Sequence, residues 1–173
     1  VERFELLRTI QRRLARAAIV PSAVRGAGNA GVLSAAHAFF MTLDLSDFQA
    51  ESFDDDLDQS TLKLQRSFPK PARQWGLARK LLNMFLRDAL YSRHLCERYP
   101  LQQIESLLEV PLDSYTMRGI REHDRTLPRG VWIRSLTPEM SARFQRSAAS
   151  MAKELGIARV HLDALLWGAR EGN

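Results

Sequence analysis

Apolar residues recur at intervals of three and four along nearly all of this chain, and no stretch sustains the period of two that a half-buried strand requires. The pattern predicts an all-α fold. In "ERFELLRTIQRRLARAAIV" (2–20), Phe4, Leu7, Ile10, Leu14 and Ala18 share one face, and Pro21 closes the helix. "GAGNAG" (26–31) predicts a flexible turn, which follows no predicted strand and so matches no phosphate-binding fingerprint. "GVLSAAHAFFMTL" (31–43) predicts a second, largely buried helix. A third begins within an aspartate run and carries Leu57, Leu62 and Leu64 to "SFPKPARQ", where Pro69 and Pro71 enforce a break. The longest predicted helix then runs from about Ala72 to the low nineties.

Beyond it the spacing predicts a short helix over "LQQIESLLE" (101–109) and another introduced by "VPLDSYTMRGI", where Asp113 and Ser114 supply N-cap chemistry. "RTLPRGVW" reads as a loop. Two closing helices follow, "PEMSARFQRSAASMAKELG" and "ARVHLDALLWGAR", with Gly156 between them. No internal repeat and no linker divides the sequence, so residues 1–173 are expected to form a single compact helical domain.

Composition narrows the classes. The net charge of +5 and a pI near 9.9 point mildly toward a polyanionic partner. The stretch from Asp44 to Asp58 holds seven carboxylates and no basic residue, so the remainder is more basic than the average. Its last aspartates suit the N-terminus of the next helix. No run approaches the ~18 consecutive apolar residues of a membrane span, and the beginning of the chain lacks signal-peptide order. With one cysteine, Cys96, no internal disulfide is available. A soluble, cytoplasmic monomer is expected.

Most familiar chemistries find no support. His94 and Cys96 lie two apart without a matching pair, and His37, His123 and His161 show no ligand spacing, so neither a metal nor a cofactor is expected. P-loop, metalloprotease and nucleophile-elbow motifs are missing.

What remains is a set of polar residues among apolar ones. At ~100° per residue, Gly76, Lys80, Asn83, Met84, Arg87 and Tyr91 share one face of the long helix, opposite Ala78, Leu82, Phe85 and Ala89. That face suits a solvated stripe; it equally suits a cleft wall holding one amine beside Asn83 and two phosphate-seeking cations, Arg79 and Arg87. Asp113 reads either as a helix cap or as a restrained carboxylate able to support a developing positive charge. Asp163 and Trp167 lie one turn apart on one face, and Trp167 fits a core anchor as well as a stacking platform.

In order, a helical lysine, an aspartate after "VPLD" 33 residues later, and the Asp163 and Trp167 pair in the last helix resemble the helix-hairpin-helix DNA glycosylases, in particular the archaeal 8-oxoguanine glycosylase branch. The resemblance spans about residues 72–170. It implies that Lys80 is the nucleophile at the sugar carbon, that Asp113 supports the reaction, and that Asp163 and Trp167 hold a base flipped from double-stranded DNA. Two departures stand out. The hairpin before the lysine is reduced to "QWGLARK", with Gly76 alone, and residues 1–68 offer no counterpart to the family's base-contacting segment.

Small bacterial relatives of this kind act against phages with modified bases. The expected substrate is accordingly a bulky modified cytosine, such as the glucosylated hydroxymethyl form, with His37 and Phe40 (beside Ser34 and Phe39) and Met84 at the base. Arg79, Arg87 and Asn83 are expected on the DNA phosphates. An 8-oxoguanine repair enzyme and a non-catalytic DNA-binding module are the alternatives.

Overall fold

Along the first helix, α1 (Glu2–Ala18), the buried row is Leu7, Gln11, Ala15 and Ala18, with Ile10 and Leu14 half-buried beside it. Gln11 sits in that row because its amide donates to Phe40 O (2.9 Å) and Leu43 O (2.8 Å), satisfying carbonyls that the end of the next helix leaves free. Phe4, expected on the core face, is instead 53% exposed and carries the Arg8 guanidinium 4.4 Å above its ring. A proline-led 3-10 turn (Pro21–Val24) follows. The structure, a computed structural model, describes residues 2–26 and 31–171; most of the expected turn at 26–31 lies outside them.

In α2 (Gly31–Thr42), Val32, Ala36 and Phe40 are buried at a spacing of four. α3 (Phe53–Ser67) opens with Asp54, Asp55 and Asp56 in its first turn, where carboxylates meet unpaired amides and the positive end of the helix dipole. A connection containing a 3-10 turn (Lys70–Ala72) leads to α4 (Trp75–Tyr91), which starts after Ala72, and Ser92 N closes it on Asp88 O and Ala89 O. The low nineties begin a separate short helix, α5 (Arg93–Arg98).

The helix expected over 101–109 is a 3-10 turn (Leu101–Ile104) followed by non-helical chain. Its apolar spacing is real, since Leu101, Ile104 and Leu108 are buried, but side chains take the place of helical amides. Arg159 donates to Leu107 O (2.7 Å) and Leu108 O (3.1 Å), and the Gln145 amide pairs with both Val110 N and Val110 O. α6 (Ser114–His123) is capped by Asp113, whose Oδ1 accepts from Thr116 N at 2.7 Å. α7 (Pro138–Glu154) is capped by Thr137 and ends before Gly156, which takes φ +70°. α8 (Leu162–Glu171) closes the chain's described part.

The described residues thus form one compact all-α domain with no strand among them, and none of their helices is long and apolar enough to cross a membrane. Two apolar clusters build it. The larger joins α1–α5 and residues 101–108; the smaller joins α6, α7 and the start of α8. Ile133 touches both.

At that junction a Cβ on Gly76 would stand 2.4 Å from Ile133 O and 2.8 Å from Leu136 Cβ. The first turn of α4 therefore lies directly on the 133–136 backbone, a closeness only glycine permits. Gly76→Ala should lower the melting temperature, because overpacking costs ~1–3 kcal/mol and outweighs the ~1 kcal/mol that alanine gains in helix propensity. Thermal denaturation checks this, and an unchanged or raised midpoint would mean that propensity alone acts at this position.

Candidate active site

A cavity of about 1110 Å³ opens where the two clusters meet. Its walls come from the turn after α1, one face of α4, the 111–115 approach to α6, the 132–135 turn, and α8. Lys80, Met84 and Arg87 reach it from α4, Asp113 from the start of α6, and Asp163 and Trp167 from α8. Six of the expected site residues, far apart in sequence, therefore line one space.

Lys80 is half-buried, and its Nζ donates to Ala23 O at 2.8 Å. Burial pushes its pKa below the ordinary lysine value, and the carboxylates of Asp113 and Asp163 oppose that with smaller upward pulls. The lowering comes from burial and not from Arg79 or Arg87 on the same helix.

Arg79 points to another side of α4, where it donates to Glu109 Oε2 (2.9 Å), Asp58 Oδ1 (2.8 Å) and Thr61 Oγ1 (2.9 Å). Asn83, one turn on, donates to the same Glu109 oxygen at 2.9 Å. Both are buried, so the phosphate role expected of them is corrected: they anchor Glu109 inside the protein. Arg87 does face the cavity, but its guanidinium pairs with Asp163 and with Asp88 Oδ1 (2.7 Å), which leaves it a structural cation rather than a phosphate grip.

His37 and Phe40 do not line the cavity. The His37 ring bonds Ile19 O at 2.7 Å, and Phe40 stacks on Phe85 in the larger core, their centroids 4.6 Å apart. Phe40 meets α4 through Phe85, on the side away from Lys80, while α2 packs mainly on α1 and α3.

Asp163 is buried at the cavity floor, where Oδ1 accepts from Thr116 Oγ1 at 3.2 Å and Oδ2 from Arg87. Burial raises its pKa, Arg87 pulls it down, and Asp113 pushes it further up. Thr116 was missed by sequence reasoning, although its position three residues after a capping aspartate is a usable signal. Its backbone N–H fixes Asp113 while its hydroxyl fixes Asp163, so one residue sets the spacing of the two carboxylates.

Aromatic residues were missed as well. Tyr115 faces Trp167 with centroids 5.1 Å apart, and Trp167 is 39% exposed, a wall surface rather than a core anchor. Trp132, 69% exposed, stands at the rim with Arg25 and Arg134, and Arg134 ties its turn to the other rim by donating to Gly26 O. Among the described residues no cluster of His, Cys, Asp and Glu is disposed to hold a metal.

Chemically, the site offers a restrained amine whose neutral form burial favours, a fixed carboxylate beside it, and an aromatic wall for a flat ligand. No family model, curated protein or solved structure matches this chain.

The lowered Lys80 pKa sets a sign. Between its folded value and 10.5 the unfolded chain binds more protons, so this group's contribution to stability rises with pH across that window. In a carbon-13 NMR titration of the reductively methylated protein, the Lys80 signal, identified by its absence in Lys80→Arg, should titrate below the ordinary lysine value of 10.5. A Lys80 midpoint at or above 10.5 would contradict the burial account.

Proposed function

We propose that this chain is a DNA glycosylase of the helix-hairpin-helix kind, similar to the archaeal 8-oxoguanine glycosylase branch, and that it excises a modified base from double-stranded DNA. The observation that carries the reading is a convergence. Lys80, Asp113, Asp163 and Trp167, the residues the family resemblance selects by order along the chain, line a single cavity in which burial favours a neutral amine.

The reaction starts when the target nucleotide leaves the base stack, at a cost of ~a few kcal/mol that pocket contacts offset. Its base lies along the Tyr115 and Trp167 wall, with Met84 beneath. The Lys80 Nζ lone pair attacks the sugar C1′; the C1′–N glycosidic bond breaks and its electron pair leaves with the base, which takes up a proton. Asp113, held by Thr116 N, stabilises the positive charge that develops on the sugar. After the amine sheds a proton, opening of the sugar ring converts the adduct into a Schiff base. Hydrolysis then returns Lys80 and an abasic site, or elimination of the 3′ phosphate cuts the strand. Asp163 keeps Arg87 and Thr116 as partners and accepts one further hydrogen bond from the base.

The cavity, about 1110 Å³ and open at its mouth, has room for a base with a large substituent. A bulky cytosine, such as the glucosylated hydroxymethyl form in phage DNA, is therefore the substrate we assign, with antiphage defence as the role of a cytoplasmic monomer. Exposed Arg12, Arg13 and Arg16 on α1 supply cations for a duplex that the buried Arg79 does not.

Counting abasic sites after incubation with glucosylated phage DNA, unmodified DNA and an 8-oxoguanine duplex tests the assignment. Release from the glucosylated DNA is expected; release from 8-oxoguanine alone would make the enzyme a repair glycosylase, and release from none would leave a non-catalytic DNA-binding module. Lys80→Ala should bind DNA as the wild type does and lose roughly 10³-fold or more in release. Asp113→Asn should retain the cap, since asparagine caps about as well as aspartate, and still lose activity. Activity that follows only the melting temperature across Asp113→Asn and Asp113→Ala would reduce Asp113 to a cap.

A further inference from the structure

The face of α4 that carries Lys80 ends in Tyr91, whose phenol belongs to a chain of side chains that the proposed reaction leaves unused. Tyr91 follows Arg87 by one turn. Its Oη stands 2.8 Å from His161 Nδ1, the two rings are nearly parallel with centroids 5.7 Å apart, and His161 Nε2 stands 2.6 Å from Glu105 Oε1. An ionised carboxylate only accepts, so Nε2 carries a proton and the Nδ1 of a neutral ring takes the Tyr91 O–H. Three segments meet in this chain: the end of α4, the 101–108 stretch, and the 3-10 turn (Arg159–His161) that leads into α8. With Tyr91 51% exposed, the chain lies on the outside of the molecule.

On its inner side is the charge pair of the cavity. His161 precedes Asp163 by two residues and Tyr91 follows Arg87 by four, so Tyr91–His161 and Arg87–Asp163 form two rungs between α4 and the start of α8. Burial raises the Tyr91 pKa, and Arg87 and Asp163 each act on it as well, which puts the phenol beside their pair. The outer rung is aromatic and half in water; the inner one is ionic and largely buried. An ion pair open to water is weakened by solvent and salt, and a covering ring prevents that. The opening of α8 is also fixed by other means, since Arg159 holds Leu107 O and Leu108 O while Val160 and Leu162 are buried. Removing the outer rung therefore frees the ring and leaves the fold.

We propose that Glu105, His161 and Tyr91 are positioning residues of the Lys80 site: they clasp the Tyr91 ring over the outer side of the Arg87–Asp163 pair and keep that pair closed. The consequence for base release rests on the glycosylase reading; the consequence for the amine does not. An opened pair leaves Asp163 less covered by Arg87 and lets water toward Lys80. Both changes stabilise the ammonium, so the reactive neutral amine becomes scarcer at a given pH.

The test titrates the Lys80 carbon-13 signal in the methylated wild type, His161→Ala, Tyr91→Ala, Tyr91→Phe and the double alanine variant. The midpoint should rise in His161→Ala and in Tyr91→Ala, and the double variant should rise no further than Tyr91→Ala, because both residues act through one clasp. Tyr91→Phe, which keeps the ring, should stay closer to wild type than Tyr91→Ala. Release from glucosylated DNA, measured well below the midpoint, should fall about tenfold for a midpoint rise of one pH unit and recover at higher pH, with DNA affinity unchanged. A Lys80 midpoint unmoved in both single alanine variants overturns the proposal, whatever their melting temperatures, and so does a double variant whose rise is the sum of the two. Should the wild type release no base from any of the DNAs, the glycosylase reading falls, and the midpoints alone still decide the clasp.

Discussion

A helix that borders a core on one side and a cavity on another must meet a different chemistry on each, and α4 satisfies that constraint with three rows. Leu81, Phe85 and Ala89 enter the larger core, Arg79 and Asn83 close on Glu109, and Lys80, Met84 and Arg87 face the cavity. The Glu109 row governs the rest. A carboxylate with little exposure is costly unless its charge is paired, and Arg79 with Asn83 supplies that pairing. Glu109 is thereby fixed four residues before Asp113. Val110, held through its N–H and carbonyl by Gln145, carries that order forward.

The same economy of pairing shapes the cavity. Lys80 and two carboxylates share it, and an unopposed Asp163 would stabilise the ammonium form of the lysine. Arg87 faces Asp163 directly, so much of that negative charge is already answered and burial remains the leading influence on Lys80. Arg87 thus limits, through its carboxylate partner, the upward pull that Asp163 exerts on the Lys80 pKa. Thr116 completes the arrangement by binding both aspartates.

Much of the fold was legible because helical periodicity and capping are local. Asp113, Gly156 and the prolines at 69 and 71 mark boundaries that need no knowledge of the tertiary contacts. The stretch at 101–109 was misread for the complementary reason: its apolar spacing is helical, but distant Arg159 and Gln145 take the backbone partners. On α4 the helical wheel separates apolar from polar rows and cannot say which polar row is covered. Arg79 and Asn83 were assigned to the outside on that account, although Glu109 waits for them inside. His37 and Phe40 were placed near the base because nothing in the sequence shows that one bonds Ile19 O and the other stacks on Phe85 in the core. Trp132 sits in a loop and belongs to no period, and Tyr115 lies in the first turn of α6, where the spacing does not tell cavity from solvent.

In the proposed reaction one amine, Lys80, does the chemistry. The chain has four lysines, and Lys63, Lys70 and Lys153 are exposed while only Lys80 lines the cavity. Reducing the protein with borohydride on DNA that carries its substrate base, then locating the sugar adduct by peptide mass spectrometry, asks which of them reacts. A single adduct at Lys80 is expected. An adduct at Lys63, Lys70, Lys153 or the terminal amine, with Lys80 unmodified, would contradict it.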